Sequence, residues 1–157
     1  KMGAKYVAVD VMGARKVQKC EPREAAVVVR QRDKYLSIPQ DDLQGSWQWS
    51  LPSGQQCKSD TSLHSAGVRA LYSGVGLGES TWGTWVTAGP GTNAFKHKTY
   101  YTYDITHSVP KADIESAFGD REQKQNIRKW GWHTAAQILQ GKRWRQEDRD
   151  YVAKQQR

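Results

Sequence analysis

Two cysteines in 157 residues are too few for a disulfide framework, and Cys20 and Cys57 stand too far apart for a zinc ribbon. Both are expected to be reduced. Long apolar runs are also missing: the longest, Ala25 to Val29, is far short of the ~20 residues a membrane helix needs. A soluble protein, or a subunit of a soluble assembly, is expected. There is no internal repeat and no low-complexity tract. The histidines His64, His97, His107 and His133 form no ligand-spaced pair, which disfavours a His-based metal site or triad. Gly89-Pro90-Gly91 lacks the Lys-Ser/Thr sequel and the following helix of a phosphate loop, so it reads as a plain turn. Acidic residues are outnumbered, 16 Asp+Glu against 24 Lys+Arg, and the formal net charge of +8 favours a polyanionic partner. The chain opens on Lys1 rather than Met, so a preceding segment is expected to have been removed.

What is present fits one body with a sizeable core. Residues 1–23 show no lasting period and read as an extended arm. A domain is expected over 24–141 and a basic, polar C-terminal helix over 142–157. EAAVVVR (24–30) and KYLSIP (34–39) are strand-like around a short turn, and WQWSL (47–51) alternates as a half-buried strand does. A helix is predicted from Asp60 to Tyr72, capped by Ser59 or Asp60, with Leu63, Gly67 and Leu71 on one stripe and Gly74, Gly76 and Gly78 ending it. Strands are predicted again at TWGTWVTA (81–88), KTYYTYDI (98–105) and KWGW (129–132). Short helices are predicted at Asp113 to Phe118 and at TAAQIL (134–139), and a final charged helix at 143–157. That last helix is so polar that it is expected to face solvent or dock on a partner. The order of elements gives an α/β (α+β) sandwich with helices on both faces of a mixed sheet.

The stretch LPSGQQCKSDTSLHSAGVRALYSGVGL (51–77) resembles the signature of the Nudix hydrolase family. Gly54 takes the first glycine and Asp60 the first acid, while Arg69, Leu71, Gly76 and Leu77 take the Arg, apolar, late glycine and last apolar positions. Eight residues separate Asp60 from Arg69 where the family has seven. At the three glutamate positions this chain has Ala70, Ser73 and Gly74. The resemblance implies a Nudix-like fold with a degenerate box. Cleaving a diphosphate requires a hard cation held by carboxylates, and paired glutamates three and four apart on one helix face would supply them. A methyl group, a hydroxyl and a hydrogen do not. Asp60 reads better as a helix cap, Arg69 as a donor to loop carbonyls near Gly54, and the spacing of Asp41, Asp42 and Glu79 recommends none of them. No catalytic residue, metal or cofactor is expected.

Basic residues interleaved with aromatics suit a phosphate backbone with a stacked base. The candidates are Lys96 and Lys98 around His97, Arg128 and Lys129 before Trp130, and Lys142, Arg143 and Arg145 around Trp144. Against them stands the plain alternative of inward-packed Trp and solvated charges. Beyond the altered box, AGPGTNAF, KHKTYYTYDI and KWGWHTAAQIL together with the basic C-terminus resemble the mitochondrial large-subunit ribosomal protein forty-six family. That resemblance implies a non-catalytic assembly element in the mitochondrial matrix, contacting rRNA and neighbouring ribosomal proteins, with no membrane and no small-molecule substrate. The alternatives are a Nudix-type nucleotide pyrophosphatase with an atypical metal site and a free-standing RNA- or nucleotide-binding pseudoenzyme.

Overall fold

The computed structural model describes residues 5–11, 14–41, 46–105 and 129–156. The expected helix at Asp113 to Phe118, and with it Asp42, His107 and Arg128, lies outside these residues.

Among the described residues eight strands build the sheet: β1 (Lys5–Val11), β2 (Ala14–Gln31), β3 (Lys34–Asp41), β4 (Trp47–Ser50), β5 (Ser53–Cys57), β6 (Gly91–Phe95), β7 (Lys98–Asp104) and β8 (Gly131–Thr134). The main path runs β4-β3-β2-β7-β6, with β1 and β5 also on β2 and β8 on β3. Among the described strands only β2 and β7 pair parallel, Glu24 to Arg30 lying beside Lys98 to Asp104; the other strand pairs are antiparallel. The helices are α1 (Leu63–Val75), α2 (Glu79–Trp82) with a 3-10 turn (Gly83–Trp85), α3 (Ala135–Gln140) and α4 (Gln146–Gln155).

The apolar run in β2 explains the layering. Successive side chains of a strand point to opposite faces, so a run buried on both sides needs cover on both. Val27 and Val29 join Leu36, Ile38, Leu71, Val75, Leu77, Trp82 and Trp85 on one face. Ala26 and Val28 join Tyr35, Leu51, Tyr100, Ile138, Trp144, Tyr151 and Val152 on the other. The α/β/α sandwich expected from element order is the one found. Gly67 brings α1 onto β2: a Cβ there would sit 2.8 Å from the Val27 side chain.

Several expectations change. The arm over 1–23 contains a hairpin, β1 with β2, and β2 continues without a break into the body. Its irregular polarity hid it, since this hairpin has little of the half-buried alternation that marks a strand. TWGTWVTA is not a strand; Trp82 and Trp85 are both buried at a three-residue spacing, which a helical turn satisfies and alternation does not. Ser62, rather than Ser59 or Asp60, caps α1, its hydroxyl accepting from the Ser65 N–H at 3.2 Å. TAAQIL forms α3 with a Thr134–Gln137 capping box. Cys20 and Cys57 are not free thiols but a disulfide: the β2–β5 register sets them opposite each other across 37 residues of chain.

The final helix is the largest change. It packs on its own sheet through Asp148, Tyr151 and Val152, which lie on one face at helical spacing. The Tyr151 ring stacks on Tyr100 at 3.9 Å between centroids, and its hydroxyl meets Thr102 Oγ1 at 2.5 Å.

Candidate functional site

The 51–77 stretch builds a strand, a loop and a helix around one clasp. Gly54 on β5 sits directly beneath α1, where a Cβ would be 2.6 Å from the Ala66 carbonyl oxygen. Only glycine fits. From the helix, Arg69 reaches back over the loop: Nη2 donates to the Gln55 carbonyl at 2.6 Å, while Nε and Nη2 donate to the two Asp60 carboxylate oxygens at 3.1 Å each. Asp60 Oδ2 also accepts the Cys57 N–H at 2.7 Å. Arg69 therefore bonds a carbonyl beside Gly54, but one on strand β5 rather than in a loop. Asp60 does not cap the helix; it closes the loop on Arg69, a two-point carboxylate–guanidinium contact that fixes orientation as well as charge.

That arrangement bears on what the stretch can hold. Ala70 is buried, Ser73 is partly exposed, and Gly74 lies against Ile38, where a Cβ would meet Cδ1 at 2.6 Å. Of these positions only Ser73 carries a side-chain oxygen, and the Asp60 carboxylate is committed to Arg69 and Cys57. This donor set does not fit the hard divalent cation that Nudix chemistry uses. Asp41 and Glu79 are exposed. Among the described residues, Glu24, His97 and Glu147 bring three ligand atoms within 4.8 Å of one another. His97 Nε2 lies 2.9 Å from Glu24 and 3.9 Å from Glu147. A cation already serves that group: Arg145 bonds both Glu24, at 3.2 Å, and Glu147. Burial works against the charged form of Glu24, but Lys98 and Arg145 outweigh it and hold its pKa below the usual value.

The basic candidates separate sharply. Lys98 is not a surface residue: its ammonium donates to Asp148 Oδ1 at 2.7 Å with both side chains fully buried. Asp148 further accepts Tyr100 Oη at 2.7 Å, and Ser50 Oγ and the Leu51 N–H at 3.0 Å each. Burial opposes the Asp148 charge, yet Lys98, Arg145 and these hydrogen bonds keep its pKa low. The same burial and the Asp148 charge push the Tyr100 hydroxyl far up. Trp144 is 5% exposed and stacks on Trp49 with its edge to His133, so it offers no face to a base. Residues 143–145 run beside Trp49, with the Trp49 N–H donating to the Arg143 carbonyl at 2.5 Å and the Arg145 N–H to the Trp49 carbonyl at 3.0 Å. Alternation along that segment turns Trp144 inward and the two arginines away from it. Arg143 covers the Trp47 ring at 4.1 Å, and Lys96 pairs with Asp150 at 3.3 Å on the surface. Lys129 and Lys142 are exposed. What the sequence pattern did not single out lies on the hairpin, where Tyr6 and Lys19 are exposed; the mixed polarity of 1–23 carried no signal for them.

No family model matches the chain, and no curated protein matches it. Solved structures do resemble it. A NUDIX hydrolase from Nitrosomonas europaea is 14% identical, covers 83% of this chain and 84% of its own, and has a TM-score of 0.51. The E. coli ORF135 protein is also 14% identical, over 83% of this chain and 85% of its own, with a TM-score of 0.47. An ADP compounds hydrolase is 10% identical over 99% and 91%, with a TM-score of 0.42. The last two likenesses are too loose to argue from. With the first, the sandwich described above is a Nudix-like fold.

Proposed function

We propose that the chain is a non-catalytic Nudix-fold protein that serves as an assembly element of a ribonucleoprotein, in the manner of the mitochondrial large-subunit ribosomal protein forty-six family. One observation carries the non-catalytic part. The acid that remains in the signature, Asp60, is spent on Arg69 and the Cys57 N–H, and the glutamate positions hold Ala70, Ser73 and Gly74. The helix keeps its seat in the fold through the clasp and needs no metal for it.

The ribonucleoprotein part is supported by the net charge of +8 and by exposed cations such as Lys19, Lys58 and Lys129. The partners proposed are rRNA and neighbouring ribosomal proteins in the mitochondrial matrix. Against that compartment stands the Cys20–Cys57 bond, because disulfides persist chiefly where the surroundings oxidise.

Two experiments test the reading. Tagged protein should co-sediment with the large mitochondrial subunit at moderate salt, and recovery only in a free pool refutes the assembly role. Purified protein with Mg²⁺ or Mn²⁺ should leave nucleoside diphosphate derivatives intact, as judged by the absence of nucleoside monophosphate product. Turnover that Asp60→Asn abolishes would establish the pyrophosphatase instead.

A further inference from the structure

The β1–β2 hairpin and the loop after β5 bring together exposed aromatic, apolar and cationic side chains. Tyr6 is 77% exposed and Val17 73%, the two most exposed large hydrophobics among the described residues. Tyr6 lies opposite Lys19 in the ladder. A cleft of about 410 Å³ is lined by Tyr6, Val17, Gln18, Lys19, Lys58 and Ser59, with no carboxylate among them.

The backbone beneath this surface is tied together. The Lys58 N–H donates to the Lys19 carbonyl at 3.0 Å, and the Ser59 N–H to Gln18 Oε1 at 2.7 Å. Beside the two lysines, Cys20 and Cys57 are covalently joined. The backbones that carry the two lysines are therefore fixed to each other before any ligand arrives, which lowers the ordering cost of binding. Lys19 and Lys58 line the cleft without a carboxylate among the described lining residues, a charge that suits a polyanion.

We infer that this cleft is a contact site for single-stranded RNA. Lys19 and Lys58 take adjacent phosphates, the Tyr6 ring stacks on one base, and Val17 lies against its apolar edge. An acidic peptide would satisfy the lysines but leave the flat face of Tyr6 without a matching plane, so the aromatic decides between the two polyanions. The partner class rests on the ribonucleoprotein reading above; the location does not, and it differs from the basic segments at Lys96–Lys98 and Lys142–Arg145.

The test measures binding of a short fluorescent oligouridylate to the full chain across a salt series. For Lys19→Gln/Lys58→Gln the slope of log K against log salt should fall by about 1.4, roughly 0.7 for each single-strand phosphate that a lysine no longer neutralises. Tyr6→Ala should weaken binding about tenfold. Lys142→Gln/Arg143→Gln should change neither, and circular dichroism should show all variants folded. An unchanged slope in Lys19→Gln/Lys58→Gln overturns the site, as does an equal loss in Lys142→Gln/Arg143→Gln. Tight binding of a polyglutamate peptide that is indifferent to Tyr6→Ala, without oligouridylate binding, overturns it in favour of an acidic protein. Oligouridylate binding through these residues by a chain that never co-sediments keeps the site and removes the assembly role. Co-sedimentation with RNA binding insensitive to Lys19→Gln/Lys58→Gln does the reverse.

Discussion

Removing the Asp148 carboxylate should be the most damaging single change in the described core. Four donors converge on that side chain: Lys98 Nζ and Tyr100 Oη on one oxygen, Ser50 Oγ and the Leu51 N–H on the other. Neither Lys98 nor Asp148 reaches solvent, so water cannot take over when the partner goes. Breaking a buried pair from one side typically costs about 3–5 kcal/mol because an uncompensated charge is left behind. A chain of this size has roughly 5–15 kcal/mol in all, so Asp148→Ala should fold marginally. Asp148→Asn keeps the shape and one acceptor and should lower the urea-extrapolated stability by about 3 kcal/mol, with the thermal midpoint down by about 10 °C. The double-mutant cycle with Lys98→Met isolates the pair, and its coupling should be about 2–3 kcal/mol. The double variant should not return to wild-type stability, because the Tyr100 hydroxyl and the Leu51 N–H still lose an acceptor. A loss below about 1 kcal/mol for Asp148→Ala, or a coupling near zero, would refute the reasoning.

Two further outcomes follow from the same geometry. Glu24 and Asp148 have pKa values below their ordinary 4.5 and 3.8, so the unfolded chain takes up protons first as the solution is acidified. Their contribution is complete above those ordinary values and is lost as pH falls through the lower folded-state ones. Urea midpoints should hold steady down to that range and then drop, with a shallower drop in Asp148→Asn; a flat profile below pH 3.8 would count against it. The Cys20–Cys57 bond closes a 37-residue separation, for which the loop-entropy relation gives about 3–4 kcal/mol. Adding dithiothreitol, or replacing Cys57 by Ser, should lower the thermal midpoint by about 10 °C, and an identical midpoint with and without reductant would show that the link is not formed in solution.

The clasp was partly legible in advance. Gly54 and Arg69 meet because a glycine before a helix and an arginine on that helix are neighbours within one local unit. Asp60 was misassigned because Ser62, two residues on, takes the cap, and the difference between capping and pairing depends on where Arg69 ends up. Helix α4 shows the same limit more strongly. Its composition is polar, and nothing within ten residues signals that Asp148 will meet a lysine 50 positions earlier. Nor does RWR announce that Arg145 pairs with Glu24, 121 positions away, while Trp144 turns inward.

The layers and the seat of helix α1 follow from local stretches of the sequence. The unbroken run Ala25 to Val29 demands cover on two faces, and the glycines at 54 and 67 let a helix come close. Those effects act over a few residues, where propensity and periodicity operate. Which charges are spent and which remain depends on contacts between distant parts of the chain. Lys98, Arg145 and Asp60 find partners inside the protein, Cys20 finds Cys57, and Tyr6, Lys19 and Lys58 are left facing solvent. Strand register and sheet order set these distant meetings, and neither is written in the local pattern of the chain.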